Sequence, residues 1–354
     1  PHRLQHTLDP QPVALELGRI EAYLELQDMP AHREDLGDPG HGLQLLLDDP
    51  VVDVPQIRVG LQPSRFCAVL ELQVTAALAN HPDPELRAYL ERLIGVVGAA
   101  QWEDGYLFTF YSVPERQPEK LWTNIPWVHE QYCVGHMYEA AVAHYEVTGD
   151  QSFLEIAKKN ADLICRVFNP EGRTDPPGHQ EIEIGLCKLY RVTGDEKYLD
   201  QAKFFLDQRG RLGHRGPDGR GGLYGTYGQD HIPVIQQTEA VGHSVRAAYQ
   251  YTGMADVAAL TGNMDYVNAI DTIWNDVVSK KLYITGGIGS GETSEGFGPD
   301  YSLRHNAYCE SCSSCGLIFF QHKLHLAYHD AKYADLYEET LYNALLGSID
   351  LAGE

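Results

Sequence analysis

Three copies of one short motif limit what this chain can fold into: Tyr145-Glu-Val-Thr148-Gly149-Asp150, Tyr190-Arg-Val-Thr193-Gly194-Asp195 and Tyr249-Gln-Tyr-Thr252-Gly253-Met254. A glycine just past a helix C-terminus takes the left-handed conformation, and an aspartate after it caps the next helix. Each copy therefore predicts a helical hairpin. A degenerate fourth copy is Tyr328-His-Asp-Ala-Lys-Tyr333. The first three glycines stand 45 (194 − 149) and 59 (253 − 194) residues apart, room for two helices and their loops.

Within each unit the two helices differ in character. The first is small and apolar (132–145, 182–190, 240–249), and the second is amphipathic and charged (153–166, 197–208, 266–280). Such alternation separates inner from outer helices and predicts an all-α toroid of helical hairpins, the (α/α)6 barrel. An open superhelix of helix pairs is the second architecture compatible with it. Upstream, Val69, Leu70, Leu72, Val74, Ala77 and Leu78 recur at helical spacing, and Asp83-Pro84-Glu85 opens a helix with Leu86, Leu90, Leu93 and Ile94 on its apolar face. The aromatic loop Phe108, Phe110, Tyr111 reads as packing or as a sugar platform. Residues 1–63 read as an irregular or capping segment and residues 64–354 as the barrel.

A chain of 354 residues with 43% hydrophobic and 22% charged residues has ample core for this. Its net charge of −23, with no Lys/Arg-rich run, argues against nucleic acid and anionic membranes, whose binding needs clustered basic residues. A neutral substrate is expected. No apolar stretch is long enough to span a bilayer, and Pro1-His2-Arg3 does not open a signal peptide. The expected compartment is cytoplasmic, or periplasmic or secreted if a signal has been removed. Seven cysteines at 67, 133, 165, 187, 309, 312 and 315 are odd in number and scattered, so they read as reduced thiols.

Chemistry concentrates between residues 283 and 315. Gly286, Gly287 and Gly289 suit a loop folded over a ligand. Glu292, Glu295 and Asp300 follow without apolar periodicity, so at least one carboxylate is expected over a cleft. Cys309, Glu310, Cys312 and Cys315 then mix thiolate and carboxylate as zinc accepts, although Cys312 and Cys315 could equally be core at the front of the helix from Gly316. Near the inner-helix starts stand His136, His179 and His243, each preceded by glycine, which could converge on the hydroxyls of a sugar or be satisfied core histidines. Asp230 reads as a turn cap or a further polar group, and Glu181 and Glu239 as carboxylates complementing helix dipoles.

Together Gly286-Gly-Ile-Gly-Ser290, Glu295-Gly-Phe297, Tyr308-Cys-Glu310-Ser-Cys312 and Gly242-His243-Ser-Val-Arg246 resemble glycoside hydrolase family 127, the β-L-arabinofuranosidases, over roughly residues 85–354. The resemblance implies an (α/α)6 barrel followed by β-sandwich domains, and a retaining mechanism on a zinc-bound cysteine. It makes Glu295 the general acid/base, Glu310 and Cys312 zinc ligands, and His136, His179 and His243 contacts to an arabinofuranose. The partner would be an arabinofuranoside-containing oligosaccharide or glycopeptide; the assembly is left open, a homodimer included. One departure stands out. The family's nucleophile lies in a Cys-Cys pair, whereas this chain has no such dipeptide and ends before it is expected, which reads as a fragment. A helical-toroid sugar epimerase and a non-catalytic carbohydrate-binding toroid are the rival readings.

Overall fold

The computed structural model describes residues 75, 78–112, 117–211, 224–291 and 294–349. The expected segment 1–63 and most of the periodic stretch before Asp83 lie outside these residues. The described residues are helical: α1 (Pro84–Ala100), the single turn α2 (Thr109–Ser112), α3 (Glu130–Thr148), α4 (Ser152–Val167), α5 (Ile182–Thr193), α6 (Glu196–Gln208), α7 (Ser244–Thr261), α8 (Met264–Asp276), α9 (Ser311–Tyr328) and α10 (Ala331–Glu339). Among the described residues β pairing is limited to two isolated bridges, Phe168 with Arg173 and His243 with Gly296. No helix among them is long and apolar enough to cross a membrane.

The chain divides into two compact units, Pro1–Glu119 with Met137–Asn160, and Lys120–His136 with Ala161–Glu354. In the first, Asp83 caps α1 as expected, its carboxylate accepting from the amides of Glu85 (2.8 Å) and Leu86 (3.0 Å). Buried Asn160 accepts from the Tyr138 hydroxyl at 2.6 Å and donates to Gly105 O at 2.9 Å, tying α4 to the turn after α1. Phe108 and Phe110 meet at a tilt and each packs edge on against Tyr111, the packing alternative for that stretch.

In the second unit α7 and α9 pack directly against each other. A Cβ at Gly316 would stand 2.8 Å from Ala248 Cβ, so only glycine allows that approach. On its other side α7 meets α5, where a Cβ at Gly253 would lie 3.1 Å from Glu183 Cβ. α7 is buried at every position from Ser244 to Ala258, as an inner helix must be.

The hairpin junctions show why the motif is Thr-Gly-Asx. Thr148, Thr193 and Thr261 each donate a hydroxyl to the carbonyl four residues back, at 2.6, 2.7 and 2.6 Å. Each hydroxyl also accepts the amide two residues on, at 3.0, 3.2 and 3.3 Å. The glycine between, at φ 72° (Gly149), 70° (Gly194) or 67° (Gly262), reverses the chain in a conformation that costs other residues energy. Asp150, Asp195 and Asn263 then cap the amides of Ser152, Lys197 and Asp265. At the fourth junction His329 takes the left-handed role at φ 53° and Asp330 caps α10. Replacing Gly194 by alanine is therefore expected to cost about 1 kcal/mol or slightly more, read as a lower urea midpoint at unchanged m.

The third expected junction needs correcting. Thr252 and Gly253 do not end a helix: both are buried within α7, Thr252 bonding back to Ala248 O at 2.9 Å. The junction is Thr261-Gly262-Asn263, 68 (262 − 194) residues after the second. Gly253 serves helix packing, which has the same local signature as a cap. The helix expected from Ala240 also begins late, at Ser244. Gly242 is left-handed (φ 73°) and His243 pairs with Gly296, so 240–243 are held outside the helix.

Candidate functional site

The loop from Tyr283 is shaped by two of its three glycines. Gly286 (φ 79°) and Gly289 (φ 96°) are left-handed; Gly287 is not. A Cβ on Gly286 would strike Thr340 Cα at 2.7 Å, and one on Gly289 would meet Ser244 Oγ at 2.9 Å. The loop is then laced to its neighbours: Cys309 donates to Gly289 O (3.2 Å), Tyr308 to Gly291 O (2.7 Å), and Gly291 to Gly296 O (2.9 Å). The Ser244 amide and hydroxyl both bond Glu295 O, at 2.8 and 2.6 Å, and Phe297 donates to Gly242 O at 2.8 Å. Glu295 is thus fixed by backbone at the N-terminus of α7.

Its side chain faces His243, with Oε2 2.5 Å from Nε2. Desolvation, then the Arg246 charge, holds the His243 imidazole down to about 4 against the upward pull of Glu295. A neutral imidazole nitrogen and a carboxyl oxygen therefore face one another within hydrogen-bond reach. Of the other carboxylates, Asp300 is paired to Lys280 (3.1 Å) and Lys281 (2.8 Å), so it is structural, and Glu292 lies outside the described residues. Asp230 accepts from the amides of Gly210 and Tyr224, the turn-capping alternative, and Glu239 pairs with Lys281.

The three histidines come together around two tyrosines. Tyr132 is 4.6 Å from His136 and 4.5 Å from His179 between ring centres, Tyr249 is 6.1 and 5.7 Å from the same pair, and His179 is 5.9 Å from His243. His129, not foreseen from the sequence, joins them 5.8 Å from His179 and 5.5 Å from Tyr132. No motif surrounds it; its one signal is its place seven residues, two helical turns, before His136. Glu181 was expected to serve a helix dipole, but it is buried with an oxygen 3.2 Å from His136 Nδ1, so its carboxyl group faces the imidazole. His179 is buried, with Nδ1 2.7 Å from Gln180 O.

Burial keeps His179 neutral, its pKa pushed well below the usual value, with Arg246, His129 and His243 adding to the effect. In the unfolded chain both His179 and His243 take up protons near pH 6.5. The unfolded state thus binds more protons below that pH, so this contribution to stability is complete above pH 6.5 and declines as pH falls, for His243 down to about 4. Urea midpoints measured from pH 7.5 to 4.5 should drop steadily over that interval; a flat profile from 6.5 to 5 contradicts the assignment.

Glu310 and Cys312 sit at the start of α9, with Glu310 its N-terminal flanking residue. The Cys312 thiol is hydrogen-bonded to Glu310, and burial followed by that carboxylate raises its pKa to about 12, Cys315 and Glu295 adding to the effect. Glu310 Oε2 is buried with no hydrogen-bond partner. A soft sulfur and a carboxylate oxygen that lacks a partner suit a divalent cation, which would convert the thiol to thiolate. Cys309, at φ 42°, turns toward Tyr283 instead, which lowers its thiol pKa without offsetting burial.

The site and helices define a class first: an all-α protein of the (α/α)6 hairpin type with a histidine–carboxylate centre at the entry to its inner helices. The family model described as the GH127 catalytic domain of β-L-arabinofuranosidase matches residues 65–354. The chain belongs to that family. A non-reducing end β-L-arabinofuranosidase of Bifidobacterium longum subsp. longum is 36% identical, over 78% of this chain and 45% of its own length. The crystal structure of a GH127 β-L-arabinofuranosidase from Geobacillus stearothermophilus T6 is also 36% identical, with a TM-score of 0.77 over 99% of this chain and 52% of that one. A cellobiose 2-epimerase from Spirochaeta thermophila, 13% identical with a TM-score of 0.53 over 98% of this chain and 88% of that one, shares the fold alone. The chain spans about half the length of the arabinofuranosidases it matches.

Proposed function

We propose that this chain forms the acid/base half of a retaining β-L-arabinofuranosidase acting on arabinofuranoside-containing oligosaccharides or glycopeptides. The observation that carries the reading is the 2.5 Å contact between Glu295 and a neutral His243 inside a cluster of histidines suited to sugar hydroxyls. Glu295 donates its proton to the departing glycosidic oxygen, and as a carboxylate it then removes a proton from the water that frees the sugar. His136, His179 and His243 orient the furanose by its hydroxyls. Family likeness assigns the nucleophile to a cysteine pair; residues 1–354 contain no Cys-Cys, so none of this chain's cysteines takes that role.

Glu310 and Cys312 would supply two ligands of a zinc ion, whose chemistry is to keep sulfur ionised at neutral pH. The test is hydrolysis of an aryl β-L-arabinofuranoside by the intact protein, followed by NMR. Initial release of the β-anomer is expected. Release of the α-anomer, or interconversion of free sugars without hydrolysis, contradicts the reading.

A further inference from the structure

A second group of aromatics flanks the acid. Tyr227 packs edge on against His243, ring centres 5.2 Å apart. Burial raises its phenol pKa against the opposing charge of Arg246, with Glu295 and Glu310 adding to the rise. Tyr227 is nonetheless 40% exposed, and Trp127 is 66% exposed. Between them lies the Arg246 guanidinium, 5.4 Å from the Tyr227 ring and 5.9 Å from the Trp127 ring, while Arg246 itself is buried and donates from Nη1 to Gly178 O at 2.8 Å.

Arginine between two rings makes a rigid shelf, because cation–π attraction and a backbone hydrogen bond both hold it. The loop bearing Trp127 is anchored as firmly. A Cβ on Gly178 would fall 1.8 Å from Ile125 O, so this glycine lets the backbone of Ile125 and Pro126 lie directly against the residue preceding His179. Large aromatics this exposed, one of them packed on His243 and both on Arg246, have little use in folding, since exposure forfeits most of their burial energy. They suit the apolar face of a sugar ring, which stacks without needing charge.

We propose that Trp127, Arg246 and Tyr227 form a leaving-group subsite that stacks a neutral sugar ring on the aglycone side of the scissile bond. The proposal rests on Glu295 being the acid, because the group that Glu295 protonates departs past Tyr227. Selectivity follows: a substrate whose aglycone is a second sugar gains from the shelf, and one with a methyl aglycone does not.

The test compares kcat/KM for an arabinofuranosyl disaccharide with that for methyl β-L-arabinofuranoside, in the intact protein and in its Trp127→Ala, Tyr227→Ala and Trp127→Phe variants. Trp127→Ala and Tyr227→Ala are expected to lower the disaccharide value at least about tenfold more than the methyl glycoside value, and Trp127→Phe to retain most of the preference. Inhibition by free arabinose, which occupies only the histidine side, should weaken far less. Equal losses on both substrates, or none, overturn the shelf while leaving the glycosidase reading intact. Failure of the unmodified protein to cleave either substrate overturns that reading, and the shelf as a leaving-group subsite with it.

Discussion

Glu295→Gln in the intact protein lowers kcat for poorly activated arabinofuranosides by roughly 10²- to 10⁴-fold, the range expected for losing general acid and base together. Glutamine preserves the backbone contacts with Ser244 and accepts from a neutral His243 as the carboxylate does, so the fold should survive. The defect should shrink on aryl substrates with acidic phenols, whose departure needs no proton, while the second half-reaction still wants a base. Affinity for arabinose should persist because the histidines are untouched. Loss of sugar binding together with turnover would make Glu295 a ligand contact and end its assignment as acid.

Cys312→Ser in the intact protein lowers bound zinc from about one ion per chain to roughly a tenth of that, measured by elemental analysis after dialysis against micromolar metal. Without a cation the thiol is held up to about 12 by burial and by Glu310, so at neutral pH Cys312 binds metal only by giving up a proton that the metal displaces. Zinc binding should accordingly release acid, and affinity should rise with pH. Glu310→Gln should weaken binding too, leaving its buried oxygen as a poorer donor. Full zinc content in both variants would place the metal at other residues.

The hairpins were legible because their punctuation is local: a threonine hydroxyl, a left-handed glycine and an Asx cap all act within five residues. The same locality misled at Thr252-Gly253, where glycine admits α5 against the helix, a long-range reason with an identical short-range signature. His136, His179 and His243 could be nominated from position, and their meeting could not, since it depends on Tyr132 and Tyr249 arriving from separate helices. His129 and the Glu181 contact were invisible for the same reason. The shelf was hidden further still, because Trp127 sits in a Pro-broken loop whose anchor is Gly178, 51 (178 − 127) residues away.

The threonine-centred corners close on themselves, requiring nothing from a neighbouring element. Inner helices of 12, 18 and 19 residues are all terminated within this family of corners or by loops of the same kind. Length can therefore drift by whole turns at these corners while the opposite, histidine-bearing helix ends stay put. Grafting a peptide tag or a crosslinking residue after Gly262 should for that reason leave the chemistry untouched, making the corners the natural handles for immobilising this protein.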